Sequence, residues 1–222
     1  MKLSNKRVGF TLAEVLITLG IIGVVAAMTM PTLMNSTQGA QYKTAYKKAL
    51  SAISQAVTLN VALDEWNFAD VTGNSGNYQI LDMLKARTNV VRNETGNTNL
   101  KDPKGNTYKI GYSSVGKLQG ITAETDIGTN NVTVFFNDGI MFSYDATQTG
   151  CTEAEGATAN VCTGIIDVNG IKAPNRIVQC NNSDASENKC DVKNPTDIYP
   201  VRFYDSTIVP NSTPARAVLY SK

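Results

Sequence analysis

The chain has 222 residues, 42% hydrophobic and 18% charged, with a formal net charge of +1. That balance describes globular material rather than a disordered chain. A near-neutral charge also gathers no polyanion, so no direct nucleic-acid partner is expected. Histidine is absent, which removes the commonest general base and the commonest metal ligand together. Ser, Lys and carboxylates occur in no arrangement that suggests nucleophilic catalysis, so the chain does not read as an enzyme.

Lys2, Lys6 and Arg7 lead to Gly9, followed by an apolar stretch from Phe10 to Met30 that holds one carboxylate, Glu14. At about 1.5 Å of rise per residue this stretch covers the thickness of a hydrocarbon core. A charge at the centre of a membrane helix costs about 2.5–3.5 kcal/mol on insertion scales, somewhat less near its end, so Glu14 needs a partner. Basic residues precede the span and no charge follows Glu14 until Lys43. This pattern keeps Met1 in the cytoplasm and sends everything after Pro31 across the membrane. Ala26-Ala27 offers a poor secretory cleavage site, because the apolar run continues past it to Met30.

After Pro31 the pattern becomes amphipathic. Tyr42, Ala45, Tyr46, Ala49, Ile53, Ala56, Val57, Asn60 and Val61 recur at three- and four-residue steps, with Lys43, Lys47, Lys48, Ser51, Ser54 and Gln55 between them. A helix from Phe10 to about Leu63 would be on the order of 80 Å long. Gly20, Gly23 and Pro31 are its weak points, and a kink or loosened turn is expected at the proline.

The rest is short-stranded and loop-rich. Tyr78–Arg87 predicts a helix. Thr107–Tyr112, Val132–Phe136 and Ile140–Tyr144 predict strands, the last two joined by an Asn137-Asp138-Gly139 turn. Ile165–Val168, Val201–Tyr204 and Ala217–Tyr220 are further candidate strands. A long helix followed by consecutive strands argues for an α+β fold with an antiparallel sheet. Cys151, Cys162, Cys180 and Cys190 are too widely spaced for zinc pairs and imply disulfides outside the cytoplasm. Four cysteines allow three connectivities. Pairing Cys151 with Cys162 and Cys180 with Cys190 would close two short loops, each stabilising by roughly 3 kcal/mol.

The basic leader and GFTLAEVLITLGIIGVVAAMTMP closely resemble the N-terminus of type IV pilins and type II secretion pseudopilins. The resemblance implies cleavage by a prepilin peptidase after Gly9 and methylation of the new amine on Phe10. It also implies that Glu14 faces the N-terminal amine of a neighbouring subunit. Such a pair, buried among apolar helices, is far less costly than either charge alone. Gly23 and Pro31 match positions that bracket a segment which unwinds in assembled filaments of this family. The implied fold is pilin-like: a long N-terminal helix packed on an antiparallel sheet, with a disulfide-stapled, loop-rich C-terminal region. The implied organisation is a leader (1–9), a membrane and assembly helix (10–30), an amphipathic half (31–63) and a head (64–222).

The resemblance further implies as partners copies of this chain, other pilins or pseudopilins, the peptidase and an inner-membrane assembly platform. The chain would first occupy the bacterial inner membrane, N-terminus inside, and then a filament. The alternative is a single-span, extracytoplasmic binding module that does not polymerise, which leaves Glu14 and the Gly9-Phe10 junction without a role. No cofactor is expected. Asp167-Val168-Asn169-Gly170 invites a calcium reading, since some pseudopilins bind calcium, but it lacks the EF-hand spacing and reads first as a turn. Asp184, Glu187 and Asp191 read as a solvated loop, with Asp184 and Glu187 expected to face partners.

Overall fold

A computed structural model describes residues 9–112, 123–153, 160–181 and 189–221. The leader residues Lys2, Lys6 and Arg7, and the acids Asp184 and Glu187, lie outside the described residues. The chain divides into two units, Met1–Gln38 and Gly39–Lys222. Helix α1 spans Leu12–Asp64 and is assigned without a break through Pro31.

In the first unit α1 carries an apolar surface. Leu16, Ile17, Leu19, Ile21, Ile22, Val24, Met28 and Leu33 are all more than half exposed. Hydroxyl groups along it are satisfied by the helix itself. Thr18 donates to the Val15 carbonyl, Thr29 to Val25, and Ser36 and Thr37 both to Leu33. This back-bonding satisfies polar side chains that sit on an apolar helix.

In the second unit the helix is a core element. Tyr46, Ala49, Ile53, Ala56 and Val57 are buried, as the spacing predicts, and Leu50 joins them, while Val61 is exposed. Asn60 is buried as well, its amide donating to the Trp66 carbonyl at 2.9 Å. The helix ends where Glu65 takes a left-handed conformation at φ 61°. After two short 3₁₀ turns (Phe68–Asp70, Gly73–Ser75) comes α2, Ile80–Arg87.

Among the described residues eight strands follow: β1 Val90–Thr95, β2 Lys109–Tyr112, β3 Ala123–Asp126, β4 Asn131–Phe136, β5 Met141–Asp145, β6 Cys162–Asp167, β7 Ile198–Tyr204 and β8 Thr207–Pro210. Six form an antiparallel sheet in the order β1-β4-β5-β6-β7-β8, and β2 pairs with β3 separately. The alternating side-chain directions of a strand give this sheet two buried faces. Val134, Phe142, Tyr144, Ile166, Tyr199, Val201 and Phe203 pack with the α1 residues. On the second face Met141 and Ile198 join Leu100, Tyr108, Ile110 and Ile127 in a separate core. Tyr46 stacks on Tyr199 with ring centroids 4.0 Å apart, fixing helix to sheet.

One sequence expectation changes. Ala217–Tyr220 is not a strand but the end of helix α3, Thr213–Tyr220. Ser212 caps it by accepting the Ala215 N–H, and Pro214 stands in its first turn. A proline there costs no helical hydrogen bond, so the Ser-Thr-Pro start outweighs the apolar run behind it. The strand expected at Ile165–Val168 overlaps β6, an interior strand, and both Cys151 and Cys162 are buried. Gly164 permits this packing, because a Cβ there would lie 2.7 Å from the Ser143 carbonyl oxygen. The two bridges are Cys151–Cys162 and Cys180–Cys190.

Candidate functional site

The N-terminal end of α1 has a built local geometry. Gly9, Phe10 and Thr11 precede the first helical residue. Phe10 is 89% exposed, and a Cβ on Gly9 would meet nothing within 4 Å. The Gly9-Phe10 peptide is thus non-helical and accessible. A peptidase that binds extended backbone has no helix to unwind there.

Helix start and carboxylate are linked. Thr11 N–H donates to Glu14 Oε2 at 2.8 Å, and the Thr11 hydroxyl donates to the same oxygen at 2.7 Å. In return, Glu14 N–H donates to Thr11 Oγ1 at 3.3 Å. This reciprocal pattern is a capping box, which satisfies helix-end donors that would otherwise be orphaned. Both Thr11 bonds fall on one carboxylate oxygen. The other oxygen, Oε1, is left unused by Thr11. The Thr-x-x-Glu spacing was present in the sequence, and Thr11 is the residue that sequence reasoning passed over.

A Cβ added at Gly20 or Gly23 would meet no atom within 4 Å beyond the helix's own backbone. Both glycines are therefore open faces along the helix rather than sites of close packing. Pro31 lies inside the helical assignment and is exposed.

The four-residue run from Asp167 is a turn. Asp167 Oδ1 accepts the Asn169 N–H at 3.1 Å, and Gly170 has φ 70°, a conformation that favours glycine. A Cβ on Gly170 would approach the Gly139 carbonyl oxygen to 2.9 Å, so two turns of the head meet there. Among the described residues there is no group of three or more His, Cys, Asp or Glu side chains placed to hold a metal. Asp191 is exposed, and its carbonyl accepts the Asn181 N–H at 2.7 Å. That bond closes the neck of the loop bridged by Cys180 and Cys190. Sequence reasoning also passed over Asp197 and Tyr108, which surround Asp167; neither stands in a recognisable motif.

Residues 5–30 match the family model described as the prokaryotic N-terminal methylation motif, the signature of type IV pilins and pseudopilins. No curated protein and no solved structure matches the chain. The long helix, antiparallel sheet and two C-terminal disulfides give an α+β, pilin-like fold, and the motif with its apolar helix fits a membrane-anchored precursor.

Proposed function

We propose that this chain is a structural subunit of a type IV pilus or type II secretion pseudopilus, made as a precursor and polymerised through α1. The observation that carries this reading is the methylation motif at residues 5–30, placed on an exposed, non-helical Gly9-Phe10 junction that runs directly into a capped apolar helix. A prepilin peptidase cuts after Gly9 and methylates the Phe10 amine. Residues 10–30 then hold the subunit in the inner membrane, N-terminus inside, with the head outside.

Assembly follows from electrostatics in an apolar setting. The new α-amino group is charged at neutral pH, and Glu14 presents a carboxylate whose Oε1 is unused by Thr11. Among packed helices, with no water to solvate either group, each charge stabilises the other. Exposed Leu, Ile and Val along α1 supply the packing surface for neighbouring copies, and Gly23 and Pro31 provide the points where that helix loosens. Partners are other copies, related pilins or pseudopilins, the peptidase and an inner-membrane platform. The role is structural, not enzymatic.

The test is assembly in a host that carries the machinery. Glu14→Ala removes a charge that opposes insertion, so membrane insertion is expected to be unchanged or better while filaments fall sharply. Normal filament numbers from the Ala variant would refute the amine-pairing account.

A further inference from the structure

The processing chemistry leaves two buried carboxylates unused. Asp167 ends β6, where it lies opposite Ile198 in the antiparallel register, and Asp197 immediately precedes β7. The two strand ends are joined by a hydrogen bond from Val168 N–H to the Asp197 carbonyl at 3.0 Å. Both aspartates are 0% exposed.

Each carboxylate ties down part of the connection between them. Tyr108 hydroxyl donates to Asp167 Oδ2 at 2.6 Å, and Asn169 N–H donates to Oδ1. Asn175 and Arg176 N–H groups donate to the two oxygens of Asp197 at 2.7 and 2.8 Å. The titratable groups that feel the pair are Tyr42 from α1, Tyr108 ahead of β2, and Tyr199 on β7. None of these is a cation. On the connection itself Lys172 is exposed and Arg176 contributes its backbone, and no ion pair among the described residues includes Asp167 or Asp197.

A second observation is a shortage of donors. The side-chain oxygens of Asn169 and Asn175 are buried without a hydrogen-bond partner among the described residues. The side-chain amide of Asn169 is already committed to Tyr42 Oη, the Ala173 carbonyl and the Asp197 carboxylate. Orphaned acceptors beside two carboxylates mark a site that lacks hydrogen atoms, and a carboxyl proton is the missing donor. A metal ion fits less well, because all four carboxylate oxygens already accept an N–H or O–H.

We propose that Asp167 and Asp197 hold one proton between them in the folded head, and that this proton latches the 168–176 connection onto the end of the sheet. Two like charges in one dry site cannot both be kept cheaply, so one of the pair stays a neutral carboxyl. In agreement, burial and then the Asp197 charge push Asp167 well above the usual aspartate range, and burial raises Asp197. The sign follows directly. A group raised in the folded state binds its proton more tightly there than in the unfolded chain, so its stabilisation is full below the ordinary aspartate value. It is lost as pH rises through the folded value. Alkaline conditions open the latch.

This inference stands whether or not the chain polymerises. It is tested on the full chain in detergent micelles by ¹³C NMR of the aspartate carboxyls, from about pH 5 to about pH 9, where ordinary aspartates are ionised throughout. One carboxyl is expected to keep the neutral-acid shift well into this range, and to lose it in Asp167→Asn or Asp197→Asn. In the same range the unfolding constant of the parent should rise by up to about tenfold per pH unit, the slope for one proton bound by the folded state alone. Asp167→Asn, which keeps the acceptor and supplies its own N–H donors, should flatten that slope. Two ionised carboxyls throughout, or a midpoint raised by millimolar calcium and lowered by chelator, would overturn the proposal. If either variant fails to fold, the carboxyl shifts of the parent chain still decide.

Discussion

Compare α1 before and after Gln38. From Leu12 to Met34 its large apolar side chains are 44–79% exposed, whereas from Tyr46 to Val57 those facing the sheet are at most 7% exposed. Both stretches obey the same backbone rules and make the same i to i−4 ladder. What differs is where the apolar surface goes. A Leu, Ile or Val is stabilised by about 1.5–3 kcal/mol when fully buried, and in the second stretch the sheet supplies that burial within the chain. In the first stretch none of the described residues does. The first stretch leaves its apolar surface to surroundings beyond the described residues, which on the proposed reading are lipid and then other helices.

The comparison breaks most visibly at the N-terminal end. Replacing Gly9 with a bulky residue is expected to block processing and so abolish assembly, while the isolated head folds normally; immunoblots of precursor and mature forms read this directly. Full processing of such a variant would detach the Gly9-Phe10 junction from its proposed role.

In the second unit the losses are energetic. Phe203 is fully buried against Phe68, Phe142 and Tyr144, so Phe203→Ala should cost about 3–5 kcal/mol of head stability in denaturant melts. Reduction, or replacement of Cys151 and Cys162 together, should cost about 2–5 kcal/mol, since the bridge closes a short loop and both sulfurs are buried. A head from Gly39 onward is expected to fold as a soluble monomer, because the core residues of α1 and both faces of the sheet lie in that unit. Aggregation of that fragment would show that the first unit stabilises the second. The smallest effect is at a helix end: Ser212→Ala should lower head stability by about 1 kcal/mol through loss of the α3 cap.

The two stretches also differ in how readable they are from sequence. Gly9, Phe10 and Glu14 declare themselves because charge, spacing and membrane length coincide within a few residues. The 3.6-residue rhythm of Tyr46, Ala49, Ile53, Ala56 and Val57 likewise forecast a buried face. Strands β4 to β7 were legible as β-branched and aromatic runs, but β1 (VVRNET), β3 (AETD) and β8 (TIVP) were not. β1 and β8 lie at the sheet's edges and β3 in a two-stranded ribbon, where pairing with one neighbour demands little of the side chains. Ala217–Tyr220 misled because four apolar residues say little about period when taken without the cap in front of them. Asp167 and Asp197 lie 30 residues apart, and only the β6–β7 register brings them together.

The most direct test of the account is the mass of the mature N-terminus. Protein purified from its native host, examined by intact-mass and N-terminal peptide spectrometry, is predicted to begin at Phe10 and to carry a methyl group on its α-amine. A chain that still begins at Met1, or that begins near Thr29 as a secretory signal would leave it, would contradict the account.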